Sequence, residues 1–406
     1  MQSEKEKEPL EDQSRSSNFT TDCCNHITTD CCNDRPNWSI NPYTDYTTNR
    51  CNCQTKTIPN RPDCSTPETE IKEKFEPKKI KSEALVLSFI RLGFDKRADR
   101  VANCGTMLEF ARTSSECGEG FQGGSPGGAL GTPEADKSTF KLHKANFCRD
   151  RLCPMCSWRR SYKIFGQISQ IMNLICNDYE FLFLTLTIPN CEAEELDSTL
   201  TELNQGWTRL IHRQAVKRIL KGFFKALEIT YNKKADTYHP HFHVVLAVPK
   251  GYFTGRDYIK RDEWLQLWQK SMKNPNITQV DIRRARPKDC AEYQDKAVSL
   301  RSAIAEVAKY TVKTNDYLFP EDLITDRVVC TLANALQDRR LTALGGCFAE
   351  AHQKLQLDDC EEGDLIHIDG ELRADVTMQI FRYGWSSGAY KLLEVLEKSP
   401  AESGVI

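Results

Sequence analysis

Two histidines separated by a single residue lie in the run YHPHFHVVLAV at residues 238–248. Side chains of a β-strand alternate between its two faces, so His241 and His243 share one face while Phe242 and Val244 share the other. Imidazole is the commonest metal-binding side chain in proteins. The spacing therefore predicts half of a metal site on a strand, although a pair of solvent-facing strand histidines has the same pattern.

A carboxylate is expected beside these histidines. The run FFKALEITY at 223–231 is joined to the histidine strand by the turn-rich NKKAD, which predicts an antiparallel hairpin. A register that buries the larger apolar residues of both strands puts Glu228 on the histidine face; the alternative is an exposed edge glutamate. Thr185 and Thr187, in the apolar run FLFLTLTIP at 181–189, add hydroxyls to this surface. Two imidazoles and a carboxylate suit Mn²⁺ or Mg²⁺ in an open catalytic site, and Zn²⁺ on ligand type alone.

A tyrosine that could act as a nucleophile follows in the run SLRSAIAEVAKYTVK at residues 299–313, which predicts a helix. Glu306, Tyr310 and Lys313 are spaced four and three residues apart, so they share one helical face. A tyrosine hydroxyl, with a pKa near ~10, needs a polarised target or a neighbour that takes its proton. Glu306 could hold a water or a proton, and Lys313 could neutralise a phosphate oxygen. The same spacing also occurs on ordinary solvated helices.

One group among the 18 cysteines has the spacing of zinc ligands. Cys148, Cys153 and Cys156 are five and three residues apart, and Cys104 is the expected fourth ligand, with His143 as the alternative. Three or four thiolates indicate a closed structural Zn²⁺ site, against the alternative of unpaired core cysteines.

Basic side chains are concentrated in a few segments, although the net charge of −2 by itself argues against a nucleic-acid-binding protein. Within a helix predicted at 196–221, four basic residues recur every four positions: Arg209, Arg213, Lys217 and Lys221. A second cluster comprises Arg283, Arg284, Arg286 and Lys288. A basic stripe is usually only a solvated face, but with a candidate nuclease site it indicates a DNA track. Arg159 and Arg160 are expected to give the cysteine region a phosphate-binding surface.

Three segments, taken in order, resemble the motifs of rolling-circle plasmid replication initiators, the single-tyrosine branch of the HUH endonucleases. They are FLTLTIPN at 183–190, HPHFHVVL at 239–246 and EVAKYTVKTND at 306–316. The cysteine-rich block FCRDRLCPMCSWRR at 147–160 precedes them, as it does in many members of that family. The resemblance covers roughly residues 100–320. It implies an α+β fold in which helices pack on an antiparallel sheet, similar to the ferredoxin or RNA-recognition architecture.

The resemblance also implies a mechanism. His241 and His243 would bind a divalent cation, and Tyr310 would attack the scissile phosphate to give a 5′-phosphotyrosine and a 3′-hydroxyl primer. Glu306 would activate water for the terminating cleavage, and Lys313 matches the second lysine of the tyrosine motif. The expected substrate is plasmid origin DNA, single-stranded or extruded in a hairpin at the nick site. Host helicase, single-strand binding protein and polymerase are the implied partners, in the bacterial cytoplasm.

The composition and motifs, together with what the resemblance implies, divide the chain into four predicted regions. They are a disordered leader (1–80), a zinc-binding region with a Gly/Pro-rich loop (81–160), a nicking domain (161–320) and a helical, acidic C-terminal region (321–406). In the last region, helices are expected at 326–345 and 390–398. The leader repeats TTDCCN and has few aliphatic residues with which to form a core. An extracellular disulfide module is the alternative, but the charged start MQSEKEKEPL does not resemble a signal peptide. No apolar stretch approaches the roughly 20 residues of a membrane span.

Three other functions fit part of this pattern. One is another HUH enzyme, although relaxases usually carry three clustered histidines and an N-terminal tyrosine. The second is a non-catalytic, zinc-dependent DNA-binding regulator in which His241 and His243 are structural. The third is a metal phosphohydrolase of small substrates, which would turn over without forming covalent DNA.

Overall fold

The structure, a computed structural model, describes residues 67–113, 139–285, 304, 308, 313–368 and 378–398. The repeated cysteine motif of the leader and the Gly/Pro-rich loop fall outside these ranges. Glu306 and Tyr310 also fall outside them. All the described residues belong to one unit, Lys56–Ile406.

The described strands form two antiparallel sheets. In chain order they are β1 (Met107–Thr113), β2 (Thr139–Ala145), β3 (Tyr179–Thr187), β4 (Gly222–Asn232), β5 (Thr237–Pro249), β6 (Val280–Arg284), β7 (Thr342–Gly346), β8 (Met378–Ser386) and β9 (Ala389–Lys398). The first sheet has the order β6-β3-β5-β4-β7 and the second has the order β2-β1-β8-β9. The histidine strand, β5, is therefore the middle strand of the first sheet.

The helices pack on these sheets. The described helices are α1 (Glu76–Arg91), α2 (Asp95–Asn103), α3 (Pro154–Ile175), α4 (Leu196–His212), α5 (Gln214–Ile219), α6 (Arg261–Met272), α7 (Asp322–Ala335) and α8 (Cys347–Lys354). A short α-helical turn (Glu68–Glu70) and a π-helical turn (Ile71–Phe75) lead into α1. None of the described helices is long and apolar enough to cross a membrane.

Helices cover both faces of the first sheet. One face, which includes Phe242 and Val244, joins a core with Trp207 of α4 and Trp268 of α6. The other face, which carries the histidines, joins a core with α3, α8, Ile304 and Ala308. The predicted α+β class, with helices packed on an antiparallel sheet, is confirmed.

The N-terminal boundary differs from the prediction. Residues 68–80, expected to belong to a disordered leader, are helical. Phe75 is buried, and its ring centroid lies 5.6 Å from that of Phe110 in β1 and 4.9 Å from that of Trp158 in α3. Two edge-to-face aromatic contacts with residues distant in sequence give this segment a core that its own composition does not supply.

The C-terminal region also differs from the prediction. The segment 390–398, expected to be helical because of its Leu, Glu and Lys content, forms strand β9. Ser387 and Gly388 have φ angles of 53° and 80°, the left-handed conformations that a two-residue hairpin turn requires. The helix expected at 326–345 ends at Ala335, and Thr342–Gly346 pairs instead with β4. Residues 321–398 thus contribute strands to both sheets.

A lysine is buried in the core beneath α4. Lys225 is 6% exposed, its Nζ donates a hydrogen bond to Asn204 Oδ1 at 2.8 Å, and this Nζ lies 3.9 Å from the ring centroid of Phe242. Burial lowers the pKa of Lys225 to about 8, against the smaller, opposite effect of the Glu361 charge. The folded chain therefore binds this proton less tightly than the unfolded chain does.

We expect Lys225→Met to raise the free energy of unfolding at pH 7 by about 1–3 kcal/mol. Methionine has a side-chain volume similar to that of lysine, and the substitution removes the buried charge. In the wild type, stability should increase as the pH rises from about 8 towards the ordinary lysine value of 10.5, since the unfolded chain binds more protons in that window. Urea denaturation at several pH values would measure both effects. If the free energy of unfolding changed with pH in the same way in both proteins, the predicted cost of the buried ammonium group would be contradicted.

Candidate metal centre

Strand pairing in the first sheet brings the predicted polar residues together. Glu228 of β4 lies directly opposite His241 of β5. On the other side of β5, Thr187 lies opposite His241 and Thr185 lies opposite His243. Because directly opposed residues share a face, all five side chains belong to the surface that strand alternation predicts.

The imidazole Nε2 atoms converge on one carboxylate oxygen. Nε2 of His243 lies 2.7 Å from Oε2 of Glu228, and Nε2 of His241 lies 3.4 Å from the same oxygen. The other ring nitrogens have separate partners: Nδ1 of His241 is 3.1 Å from the carbonyl oxygen of His239, and Nδ1 of His243 is 3.3 Å from Thr185 Oγ1. Such outer contacts orient metal-binding imidazoles, so both Nε2 atoms are held ready as ligands.

This donor set fits a divalent cation. Neighbouring ligands around an octahedral Mg²⁺, each about 2.1 Å from the metal, lie roughly 3 Å apart, and the two nitrogen–oxygen distances lie on either side of that value. Burial favours a neutral Glu228, but hydrogen bonds with His241, His243 and Lys313 hold the pKa of its carboxyl well below the usual range. The carboxylate is therefore ionised, as a metal ligand must be. Three protein ligands leave positions for water or a phosphate oxygen.

Lys313 completes the charge balance of this group. Its Nζ lies 2.9 Å from Oε1 of Glu228, the carboxylate oxygen that does not face the histidines. Upstream in the same segment, Ile304 and Ala308 are buried in the core on the histidine face. Ala308 and Lys313, which flank Tyr310 in the sequence, therefore both lie on the sheet face that carries the histidines.

Two further residues near the site were missed by sequence reasoning. The His239 ring stacks on that of His241 with centroids 5.1 Å apart, and burial, followed by the His241 charge, lowers the pKa of His239. Its place in the alternating run HPHFH was a usable signal. Burial raises the pKa of Asp316 to about 6, with Lys313 opposing and Glu228 adding to the effect, and its Oδ2 has no hydrogen-bond partner among the described residues. Asp316 is the last residue of the matched motif EVAKYTVKTND, but its spacing from the other residues assigned it no role.

The side chain of Tyr317 is held in the core of the protein. Its side chain is buried, and its hydroxyl donates a hydrogen bond to the carbonyl oxygen of Leu152 at 2.5 Å. The Tyr317 hydroxyl is therefore held within the core.

The four predicted cysteines form a second cluster of ligand atoms. Cys104 Sγ lies 3.5 Å from Cys156 Sγ and 3.6 Å from Cys153 Sγ, and Cys148 Sγ lies 3.7 Å from Cys156 Sγ. Tetrahedral Zn²⁺ with bonds of about 2.3 Å separates its sulfur ligands by about 3.8 Å, so these spacings fit. Cys104, and not the alternative His143, is the fourth member of the group.

Arg159 and Arg160 do not fit the expected phosphate-binding surface, because they are only 4% and 8% exposed. The Arg159 guanidinium donates hydrogen bonds to the carbonyl oxygens of Leu365 and Ile366, both at 2.8 Å. Arg160 donates to the carbonyl oxygen of Glu361 at 3.3 Å. Both arginines hold a distant loop against α3.

The predicted basic stripe is not one helical face. The helix breaks at Arg213, whose ψ of 136° is extended, so Arg209 lies on α4 while Lys217 lies on α5. Arg209 donates to the Ser271 carbonyl oxygen, and Arg213 donates to Ser271 Oγ at 2.6 Å. Helix α4 also packs on the sheet face opposite the histidines. Lys217 and Lys221 are exposed.

Comparisons with known proteins identify the family. Residues 139–391 match the Rep_1 family model, described as replication protein. Protein rep of Bacillus amyloliquefaciens is 38% identical over 288 residues, covering 68% of this chain and 78% of that protein. Protein rep of Streptococcus pneumoniae is 34% identical over 296 residues, covering 71% and 82%. No solved structure matches. The chain therefore belongs to the Rep replication protein family, and its predicted kinship with rolling-circle plasmid replication initiators is confirmed.

Proposed function

We propose that this replication initiator nicks one strand of plasmid origin DNA by a metal-dependent attack of Tyr310. One observation carries the proposal: the Nε2 atoms of His241 and His243 converge on one oxygen of the buried Glu228 carboxylate, and Lys313 contacts the other oxygen. Three potential metal ligands with open coordination positions, next to the Lys313 ammonium group, suit a phosphodiester substrate. The negative charge of the phosphodiester must be balanced during the reaction.

The chain's own residues have distinct parts in this reaction. Glu228, His241 and His243 would hold Mn²⁺ or Mg²⁺, which when bound draws charge from the non-bridging oxygens of the scissile phosphate. Lys313 balances the Glu228 carboxylate and adds positive charge beside the substrate. Thr185 and the carbonyl group of His239 keep the imidazoles oriented.

The assignment of Tyr310 as the nucleophile rests on its neighbours and on the family motif. Ala308 is buried on the histidine face, and Lys313 contacts Glu228. Three residues span at most about 10 Å of chain, which supports a position of Tyr310 near the metal ligands. In the proposed step the phenolic oxygen bonds to phosphorus and the bond to the 3′-oxygen breaks, which leaves a 5′-phosphotyrosine and a 3′-hydroxyl primer.

Later strand transfer and termination follow from the same chemistry. The phosphotyrosine retains the energy of the phosphodiester, so a 3′-hydroxyl can rejoin the strand. For the terminating cleavage we assign Glu306 as the base that activates water, since it precedes Tyr310 by four residues in the matched motif.

We also propose that the four cysteines bind one structural Zn²⁺. Backbone N–H groups donate to their sulfur atoms, from Arg149 to Cys156 Sγ at 3.2 Å and from Cys148 to Cys104 Sγ at 3.4 Å. These donors stabilise thiolates, and a closed set of four sulfur ligands is typical of structural zinc. The metal would fix the start of α3, where Cys153 is the N-terminal capping residue.

Tyr310→Phe should reduce nicking of a supercoiled origin plasmid by more than about 1000-fold in Mn²⁺ or Mg²⁺, because the phenyl ring has no attacking oxygen. Gel separation of supercoiled and open-circular DNA measures the nick, and a denaturant-resistant 5′ adduct reports the covalent step. Tyr317→Phe is the matched control and should nick normally, because the hydroxyl of Tyr317 already donates a hydrogen bond to the carbonyl oxygen of Leu152.

Three outcomes would count against this assignment. Nicking retained by Tyr310→Phe would contradict the assignment of Tyr310 as the nucleophile. Origin protection without nicking by the wild type would support a DNA-binding regulator, and hydrolysis of small phosphoesters without a DNA adduct would support a phosphohydrolase.

Glu228→Gln should weaken Mn²⁺ binding by at least about tenfold and lower the nicking rate at limiting metal, because a neutral amide replaces the anionic ligand. Thr185→Val, which removes only the contact with His243 Nδ1, should have a smaller effect of the same kind. Titration followed by electron paramagnetic resonance of free Mn²⁺ measures the affinity. Unchanged affinity in Glu228→Gln would exclude this carboxylate as a ligand.

Purified protein should contain about one Zn²⁺ per chain, and Cys153→Ser should lose it and lower the melting temperature by several degrees. Atomic absorption measures the metal, and thermal unfolding measures the stability. Cys330→Ser, outside the cluster, is the control and should keep the zinc. Full zinc content in Cys153→Ser would refute the four-cysteine site.

A further inference from the structure

A cleft with aromatic and basic walls lies on the first-sheet face opposite the histidines. Leu182 of β3 and Ile282 of β6 line a cavity of about 450 Å³ together with Phe253, Tyr258, Arg261 and Arg284. Leu182 has the same strand parity as Leu184, which belongs to the core beneath α4 and α6. The cleft is therefore separate from the metal centre, and its lining combines apolar surface with guanidinium groups.

Tyr258 is the central feature of this cleft. Its side chain is 45% exposed although its ring packs against aromatic neighbours, with centroids 5.4 Å from Tyr252 and 6.3 Å from Phe253. A second cavity, of about 280 Å³, also includes Tyr258 and is lined by Arg218, Arg256 and Lys270. The carboxylates of Asp257 and Glu263 also line this second cavity. An exposed aromatic ring is thus held in place where two cavities with an excess of basic side chains meet.

The charges around Tyr258 favour an anionic ligand. Arg284 pairs with Glu180, and its guanidinium lies 4.2 Å from the ring centroid of Phe253. Arg218 pairs with Asp257 at 3.2 Å. Arg256 and Lys270 form no ion pair with any residue that the structure describes. The three basic side chains of the second cavity therefore exceed its two carboxylates, Asp257 and Glu263, by one positive charge. A polyphosphate backbone supplies the complementary charge.

Strand β6 links this cleft to the metal centre. It is the edge strand of the first sheet, and its successive residues alternate between the two faces. Arg283 lies opposite Phe183, which shares the face of the histidines, whereas Arg284 lies opposite Leu182 of the cleft. Leu182 precedes Thr185 by three residues, which is about 10 Å along the strand. A flexible chain of nucleotides could pass around this edge and meet basic groups on both faces.

We propose that this cleft binds single-stranded DNA flanking the nick site, with one base stacked on Tyr258 and phosphates against Arg256 and Lys270. This inference rests on the proposed function, since it extends the path of the same substrate. A single strand fits better than a duplex because stacking on a protein ring needs a base face that is not already stacked. Stacking of this kind tolerates any base, so the cleft holds the strand without reading its sequence.

The experiment measures binding separately from nicking. The full chain is titrated, without added Mn²⁺ or Mg²⁺, into a fluorescein-labelled oligo-dT of about 20 nucleotides, and anisotropy gives the dissociation constant. Tyr258→Ala should raise this constant about 5- to 100-fold, whereas Tyr258→Phe, which keeps the ring, should remain within about twofold of the wild type. Lys270→Gln should weaken binding and reduce its salt dependence, and Lys96→Gln, on exposed α2, is the charge-loss control.

Cross-linking supplies a second readout. An oligonucleotide carrying 5-iodouracil should, after irradiation, attach to the peptide that contains Tyr258. Three results would each refute the proposal that this cleft binds single-stranded DNA. They are wild-type affinity in Tyr258→Ala, equal losses of affinity in Tyr258→Ala and Tyr258→Phe, and an absence of oligonucleotide binding by the wild type. Tyr258-dependent binding by a protein that fails to nick would leave the cleft intact and refute the proposed nicking instead.

Discussion

The buried carboxylate of Glu228 is the constraint on which the arrangement of the first sheet depends. A charged group removed from water is costly unless partners replace its hydration, and removing one partner of such a group destabilises a protein strongly. Here the partners come from β5 (His241 and His243) and from the segment of Lys313. A shift of one residue between β4 and β5 would place Glu228 in the opposite core, among Trp207 and Phe242. The same charge that would bind a metal therefore also selects the strand register.

Patterns with short range were readable from the sequence. The period of a strand placed His241, His243 and Glu228 on one face, and the spacing of Cys148, Cys153 and Cys156 indicated a common ligand site. In both cases the residues that meet are close in sequence or belong to one hairpin, so local geometry nearly determines the contact.

Apart from Cys104, which was expected as the fourth member of the cysteine group, features that depend on distant partners were not readable from the sequence. Arg159 and Arg160 looked like a DNA surface, but they are satisfied by carbonyl groups about two hundred residues later in the chain. Residues 390–398 have good helix formers, yet pairing with β8 overrides that preference. The break at Arg213 has no proline or glycine to announce it, and the Arg213 side chain donates a hydrogen bond to the distant Ser271.

The acidic residues near the C-terminus show why the net charge is a poor guide to the local charge of the protein surface. Asp358 accepts a hydrogen bond from Lys163 Nζ at 2.6 Å, and the buried Glu361 carboxylate accepts hydrogen bonds from the backbone N–H groups of Leu341 and Thr342. These carboxylates serve as internal counterions and as backbone acceptors. They therefore offset little of the positive charge of Lys217, Arg256 and Lys270, and the formal charge of −2 does not describe the charge of that surface.

The position of β5 in the middle of its sheet has a consequence for the energetics of ligand binding. A strand hydrogen-bonded on both sides exposes its amides to exchange only when large parts of the domain open. We therefore expect the strand of His241 and His243 to be among the slowest to exchange. Their rings are also oriented before any cation arrives. Little conformational entropy would then be lost on binding of the proposed cation, and ligand chemistry rather than the ordering of the protein would govern the affinity.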